Sequence, residues 1–132
     1  MPSLIAKDTE QVVVGVDDDF RVREAITSLV ESAGYASRVF SSAEEFLQSR
    51  ALAGTSCLIT DVRMSGMDGI ELQRCARLVR PELPIIFISA HRDDDIRQRA
   101  LDGGAVDFMF KPFDAAVLLG VIDRALKQST YD

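Results

Sequence analysis

The chain has 132 residues, 47% of them hydrophobic, and 15 Lys and Arg against 21 Asp and Glu leave a net charge of −6. That length suits one domain around one core, the acidic balance argues against a broad nucleic-acid-binding face, and no apolar run approaches the ~20 residues a membrane-spanning helix needs. The opening "MPSLIAKDTEQ" lacks the charged, apolar and small-residue succession of a signal peptide, so a cytoplasmic setting is expected.

Residues 1–10 read as a frayed tail. "QVVVGV" (11–16) is short and β-branched, fit for a strand buried on both faces. "FRVREAITSLVESAG" (20–34) places Val22, Ala25, Ile26, Leu29, Val30 and Ala33 at helical spacing and stops at Gly34. "YASRVF" (35–40) reads as an edge strand, because Arg38 would block further pairing. In "SSAEEFLQS" (41–49), Ser41 or Ser42 stands three residues before Glu44 or Glu45, a capping-box signal. "SCLIT" (56–60) is a second buried strand, and "GIELQRCARLV" (69–79) a helix that ends before Pro81. "PIIFIS" (84–89) is a third apolar strand. "DDDIRQRALDGG" (93–104) opens on acidic residues and ends on glycines, as a helix should, but its apolar stripe is thin: Ile96, Ala100 and Leu101. "DFMF" (107–110) is a short strand, and "DAAVLLGVIDRALKQ" (114–128) a helix with Val117, Leu118, Val121, Ile122, Ala125 and Leu126 on one face.

This alternation predicts a parallel sheet covered by helices on both sides. The expected class is α/β, a flavodoxin-like (βα)5 doubly wound sheet of strand order 2-1-3-4-5, as one domain over residues 11–128 with a short tail at 129–132. Cys57 and Cys75 lie inside apolar runs, and His91 is the one histidine, so the cysteines are read as reduced packing residues, neither a disulfide nor a metal pair.

Ligands of such sheets bind beyond the carboxyl ends of the strands, where strand order reverses. Asp17, Asp18 and Asp19 follow the first strand, and Asp61 follows the third, its neighbour in the expected order. Carboxylates so close repel one another unless one is protonated or a cation is bound. Donors that are all oxygen favour Mg²⁺, with Mn²⁺ the alternative. Lys111 in "FKPF" reaches the same rim, and a lysine beside acids and a divalent ion suits an anion, most simply a phosphoryl group. Any one of these aspartates alone reads more simply as a cap or turn residue; the set together with Lys111 points to a site. Asp93–Asp95 read as a helix cap, Asp107 as a surface turn residue, Met64 and Met67 as packing, and His91 as a solvated neighbour of the site.

"VVVGVDDD" (12–19), "LITDVRMSGMDG" (58–69), "IIFISAH" (85–91) and "GGAVDFMFKPF" (103–113) stand in an order and spacing that resemble the receiver domain of two-component response regulators over nearly the whole chain, and the last segment looks most like the FixJ-like branch. The resemblance implies that Asp61 is the phosphoacceptor, taking a phosphoryl group from a sensor histidine kinase or a histidine phosphotransfer protein. It implies that Asp18 binds Mg²⁺ directly, Asp17 mainly through water, and Asp61 and the backbone carbonyl of Arg63 complete the protein ligands. Lys111 and Ser89 would contact the phosphoryl group, Ser89 and Phe108 would form the switch, and the Lys111–Pro112 bond would be cis. The chain would then be a signalling protein and no enzyme in its own right. It would bind a downstream protein or a second copy through the surface of the fourth helix, fifth strand and fifth helix, with no nucleic acid or membrane bound by this chain.

Several residues depart from the family pattern. Ser65 stands where proline is usual, so the loop after Asp61 should be less stiff. "GGA" replaces Ala-Gly-Ala, which should weaken the end of the fourth helix. Phe108 lacks a tyrosine hydroxyl and would signal by packing alone, and Arg63 and His91 occupy positions that border the phosphoryl group in the family it resembles. The expected setting is a stand-alone receiver; the alternative is the amino-terminal receiver of a DNA-binding transcription regulator without its output domain. An aspartyl-intermediate phosphatase is disfavoured because Arg63 stands where such enzymes carry a second aspartate, and a nucleotide-binding protein because no Gly-rich loop follows the first strand.

Overall fold

The computed structural model describes residues 10–131, with side chains through Lys127; all but the last residue of the expected amino-terminal tail lies outside the described residues. Five parallel strands, β1 (Val12–Val16), β2 (Ala36–Phe40), β3 (Cys57–Asp61), β4 (Ile85–Ser89) and β5 (Asp107–Phe110), form one sheet in the order β2-β1-β3-β4-β5. The intervening helices are α1 (Phe20–Ser32), α2 (Ala43–Gln48), α3 (Gly69–Val79), α4 (Asp94–Asp102) and α5 (Ala115–Tyr131), the last running on into the stretch expected as a tail. The fold is therefore the flavodoxin-like one that the alternating pattern predicts.

Successive strand residues point to opposite faces, and both faces are buried here. Val14, Leu58 and Phe87 join Phe46 and Leu72 in the core beneath α2, α3 and α4. Their strand neighbours Val13, Ile59 and Ile86 join Ile26, Val30, Leu118 and Ile122 in the core beneath α1 and α5. Each such fully buried side chain contributes on the order of 1.5–3 kcal/mol. The helical stripes are narrower than their spacing suggests. Ala25 of α1 and the Ala33 that caps its end face solvent, and Val117 of α5 is 54% exposed while Leu118 is fully buried.

Helix starts follow the expected chemistry. Asp19, Ser42, Asp68 and Asp93 cap α1, α2, α3 and α4 by accepting backbone N–H groups. The capping box of α2 closes one residue further back than usual: Ser42 Oγ accepts from Glu45 N, while Glu45 Oε1 accepts from Ser41 N at 2.7 Å. Two local features differ from expectation. A 3-10 turn, Ala51–Gly54, links α2 to β3 through Arg50 at φ 67. Asp107 is no turn residue but the first residue of β5, paired with Ile86, its carboxylate accepting the Phe108 N–H.

Helix α4 buries only Ala100. It is also held by a polar contact, because the buried Gln73 of α3 donates from Nε2 to the Ala100 carbonyl at 2.9 Å. A Cβ on Gly103 would lie 2.7 Å from Gln73 Oε1. The glycine that propensity alone marks as weakening thus makes room for the side chain that pins the helix. Gly103→Ala is expected to destabilise the fold by about 1–2 kcal/mol, since Gln73 must give up its bond to make space. In a Gln73→Ala background the same change should cost nothing or stabilise slightly; urea unfolding of the four variants checks the cycle.

Candidate metal centre

Strands β1 and β3 are hydrogen-bonded neighbours, with Val16 paired to Thr60, so Asp17 and Asp61 emerge side by side at their carboxyl ends. The strand-loop junctions fix each carboxylate. Asp17 donates its N–H to Phe40 O, receives Arg23 Nη1 on its own carbonyl at 2.8 Å, and accepts Asp19 N on Oδ1 at 2.8 Å. Asp61 accepts Val62 N on Oδ1 at 2.7 Å. Asp17 is fully buried and Asp61 nearly so, whereas Asp18 is exposed. Carboxylate oxygens of all three lie within 4.8 Å of one another.

Lys111 comes in from the end of β5, its N–H donating to Ser89 O and its bond to Pro112 cis. Its ammonium donates to Asp61 Oδ2 at 3.0 Å and lies 2.8 Å from Asp17 Oδ2. The second contact is an ion pair without hydrogen-bond alignment, so Asp17 Oδ2 is a buried side-chain oxygen with no hydrogen bond, the one such atom among the described residues. Burial opposes the ammonium, but its close contacts with the Asp17 and Asp61 carboxylates outweigh it and raise the Lys111 pKa. Desolvation pushes the Asp17 carboxyl above its ordinary 3.8, assisted by the Asp61 charge and resisted by Lys111.

One ammonium among three carboxylates leaves an acidic, oxygen-lined pocket with more negative than positive charge. That fits a hard divalent cation, with Asp18 open to water. Soft donors stand elsewhere: the Cys57 thiol is in the core, pushed up to about 12 by burial, and Cys75 is free on α3.

The remaining expected residues surround this pocket without all turning into it. The buried Ser89 hydroxyl accepts His91 N at 3.0 Å and so faces its own loop. Phe108 is already inside, stacked on Phe87 at 5.8 Å and edge-on to Phe110 at 5.7 Å. The Arg63 side chain is exposed, 3.8 Å from Asp93, and lines a shallow cleft with His91 and Arg92. Sequence reasoning gives Arg23, Glu44 and Gln73 no part in the site. Each looks like an ordinary solvated helix residue, and its partner lies six or more positions away.

A doubly wound parallel sheet with acids and a lysine gathered at its switch point defines the class of receiver-like signalling domains. The chain belongs to the response regulator receiver domain family, whose profile matches residues 13–123. It is 46% identical over 120 residues to the response regulator protein TmoT of Ectopseudomonas mendocina, covering 91% of this chain and 54% of that one. It is 38% identical over 116 residues to the transcriptional regulatory protein FixJ of Bradyrhizobium diazoefficiens, covering 86% and 56%. Among solved structures it resembles that of FixJ-N, with a TM-score of 0.79 and 34% identity over 90% of this chain and 95% of that one. The chain thus spans about half the length of these curated relatives, and FixJ among them agrees with the branch that the "GGAVDFMFKPF" segment suggests. No helix among the described residues is long and apolar enough to cross a membrane.

A buried acid with a raised pKa makes the fold gain stability as pH falls from above that value towards 3.8, because the native state then binds the extra proton. Asp17→Asn is expected to abolish that gain and to stabilise the metal-free fold by about 1 kcal/mol at neutral pH, since a charge leaves a desolvated site. Denaturant unfolding across pH, without divalent ions, measures both effects.

Proposed function

We propose that this chain is a phosphoacceptor receiver in which Asp61 takes a phosphoryl group from the phosphohistidine of a sensor kinase or a histidine phosphotransfer protein. The observation that carries the reading is Asp61 at the end of β3, joined through Lys111 to Asp17, with carboxylate oxygens of Asp17, Asp18 and Asp61 within 4.8 Å of one another. Asp17, Asp18, Asp61 and the Arg63 carbonyl would hold Mg²⁺, or Mn²⁺ in its place. When bound, the ion supplies charge neutralisation for phosphoryl transfer and aligns donor with acceptor.

A carboxylate oxygen of Asp61 attacks phosphorus, the P–N bond to the donor imidazole breaks, the nitrogen leaves with the electron pair, and an acyl phosphate remains on Asp61. Lys111 passes from the carboxylates to the phosphoryl oxygens. Ser89 must give up His91 N to donate its hydroxyl to the same group. That exchange frees the loop before α4, the helix with the smallest buried face, which makes it a suitable moving part. Phe108 responds by repacking against Phe87 and Phe110. The surface of α4, β5 and α5 then carries the signal to a downstream protein or a second copy. The work is signalling in the cytoplasm, with no nucleic acid bound by this chain and no turnover of its own.

A second reading concerns setting. Coverage of about half of TmoT and FixJ is what an amino-terminal receiver of a longer transcription regulator would give, and equally what a stand-alone receiver would give. The length of the native reading frame tests it.

Intact-mass measurement with a small acyl phosphate donor and Mg²⁺ should show one hydroxylamine-sensitive adduct, absent without the metal; undiminished labelling of Asp61→Asn would sink the assignment. Asp18→Ala should weaken Mg²⁺ binding at least tenfold, on the order of a lost ligand set, and Asp19→Ala much less, because Asp19 is engaged as the α1 cap. With a phosphoryl mimic bound, faster hydrogen exchange is expected at His91 and across residues 96–108. Ser89→Ala should accept phosphate yet lose most of that response, because chemistry and readout use different groups.

A further inference from the structure

The loop between β3 and α3, residues 62–68, carries the Arg63 carbonyl, and that oxygen serves a cation only while the loop keeps its shape. The two ends of the loop are tied locally. Val62 N is bonded to Asp61 Oδ1 at 2.7 Å, and Gly69 N donates to Val62 O at 2.8 Å. Met64 is buried in the core beneath α2 and α3, and Met67 packs against it. The middle, where Ser65 brings none of the rigidity of a proline, is tied from outside. Glu44, in the first turn of α2, accepts the Met67 N–H on Oε2 at 2.8 Å.

A second feature marks the same contact. Gly66 has φ +80, and a Cβ on it would lie 2.4 Å from Glu44 Oε2. Only glycine both adopts this conformation cheaply and lets the carboxylate come in so close. The Met67 hydrogen bond is also the largest of the influences that hold the Glu44 carboxyl below its ordinary range, so the acceptor stays ionised when the site works. Its place at the amino-terminal turn of α2 favours the same charge.

We propose that Glu44 is a positioning residue of the metal centre, its carboxylate fixing the loop that presents the Arg63 carbonyl to the cation. This rests on the reading of that centre given above. Glu44 touches neither Asp61 nor the cation; it acts through the Met67 amide, and it makes the placement of α2 part of the metal site.

The test is Mg²⁺ titration by calorimetry on wild type, Glu44→Ala, Glu44→Gln and Glu44→Asp, with amide exchange at Met67 as a second readout. Gln keeps the reach and loses the charge, while Asp keeps the charge and loses the reach. Expected are a roughly tenfold weaker affinity for Ala, at the low end for an outer partner of a metal site, a comparable loss for Asp, near-wild-type affinity for Gln, and faster Met67 exchange in Ala and Asp only. If Ala fails to fold, the Gln and Asp pair decides. Wild-type affinity in Asp, or a loss in Gln as large as in Asp, overturns the role of Glu44, the second result marking a distant charge effect. Absence of Mg²⁺ binding in wild type removes the metal centre itself and this inference with it.

Discussion

The Lys111 ammonium between Asp17 and Asp61 is the contact on which the rest of the molecule depends. Two buried carboxylates at adjacent strand ends are electrostatically unfavourable, and burial is what pushes Asp17 towards its protonated form. Lys111 makes the pair tolerable without neutralising it, since one ammonium faces two carboxylates. A half-met electrostatic demand is poor for stability and well suited to a centre that must take up a cation and then an anion.

The scaffold around that contact is conservative and its moving side is not. Beneath α1 and α5 the core is continuous and apolar. Beneath α4 it thins to Ala100, and the helix relies on the amide of Gln73 and on its own cap at Asp93. Switching therefore need not break the main core. It needs the Ser89 hydroxyl to change partner and an aromatic stack of Phe87, Phe108 and Phe110 to shift, and contacts of that kind are individually worth only about 1 kcal/mol.

What could be read from sequence follows the range of the interactions. Strand order and element bounds were legible because β-branched runs, caps and breakers act over a few residues. Asp17, Asp18, Asp61 and Lys111 were legible because a charge at the end of a buried strand adds nothing to the packing of that strand. Glu44, Arg23 and Gln73 were not, since a polar residue on an amphipathic helix looks the same whether it meets water or a distant backbone group. The ring contacts of Phe108 are not legible for a related reason: they join rings on β4 and β5 that only the sheet register brings together. The Ala51–Gly54 turn escaped because "ALAG" is too short to show any period.

The central carboxylates and the lysine come from alternate points of the chain, at the carboxyl ends of β1, β3 and β5. During synthesis the first two arrive long before the third. A nascent chain that has paired β1 with β3 holds Asp17 and Asp61 together with no ammonium between them, and the last strand must emerge before that repulsion is relieved. A chain truncated before β5 therefore has the acids of the site but not the charge that lets them sit side by side.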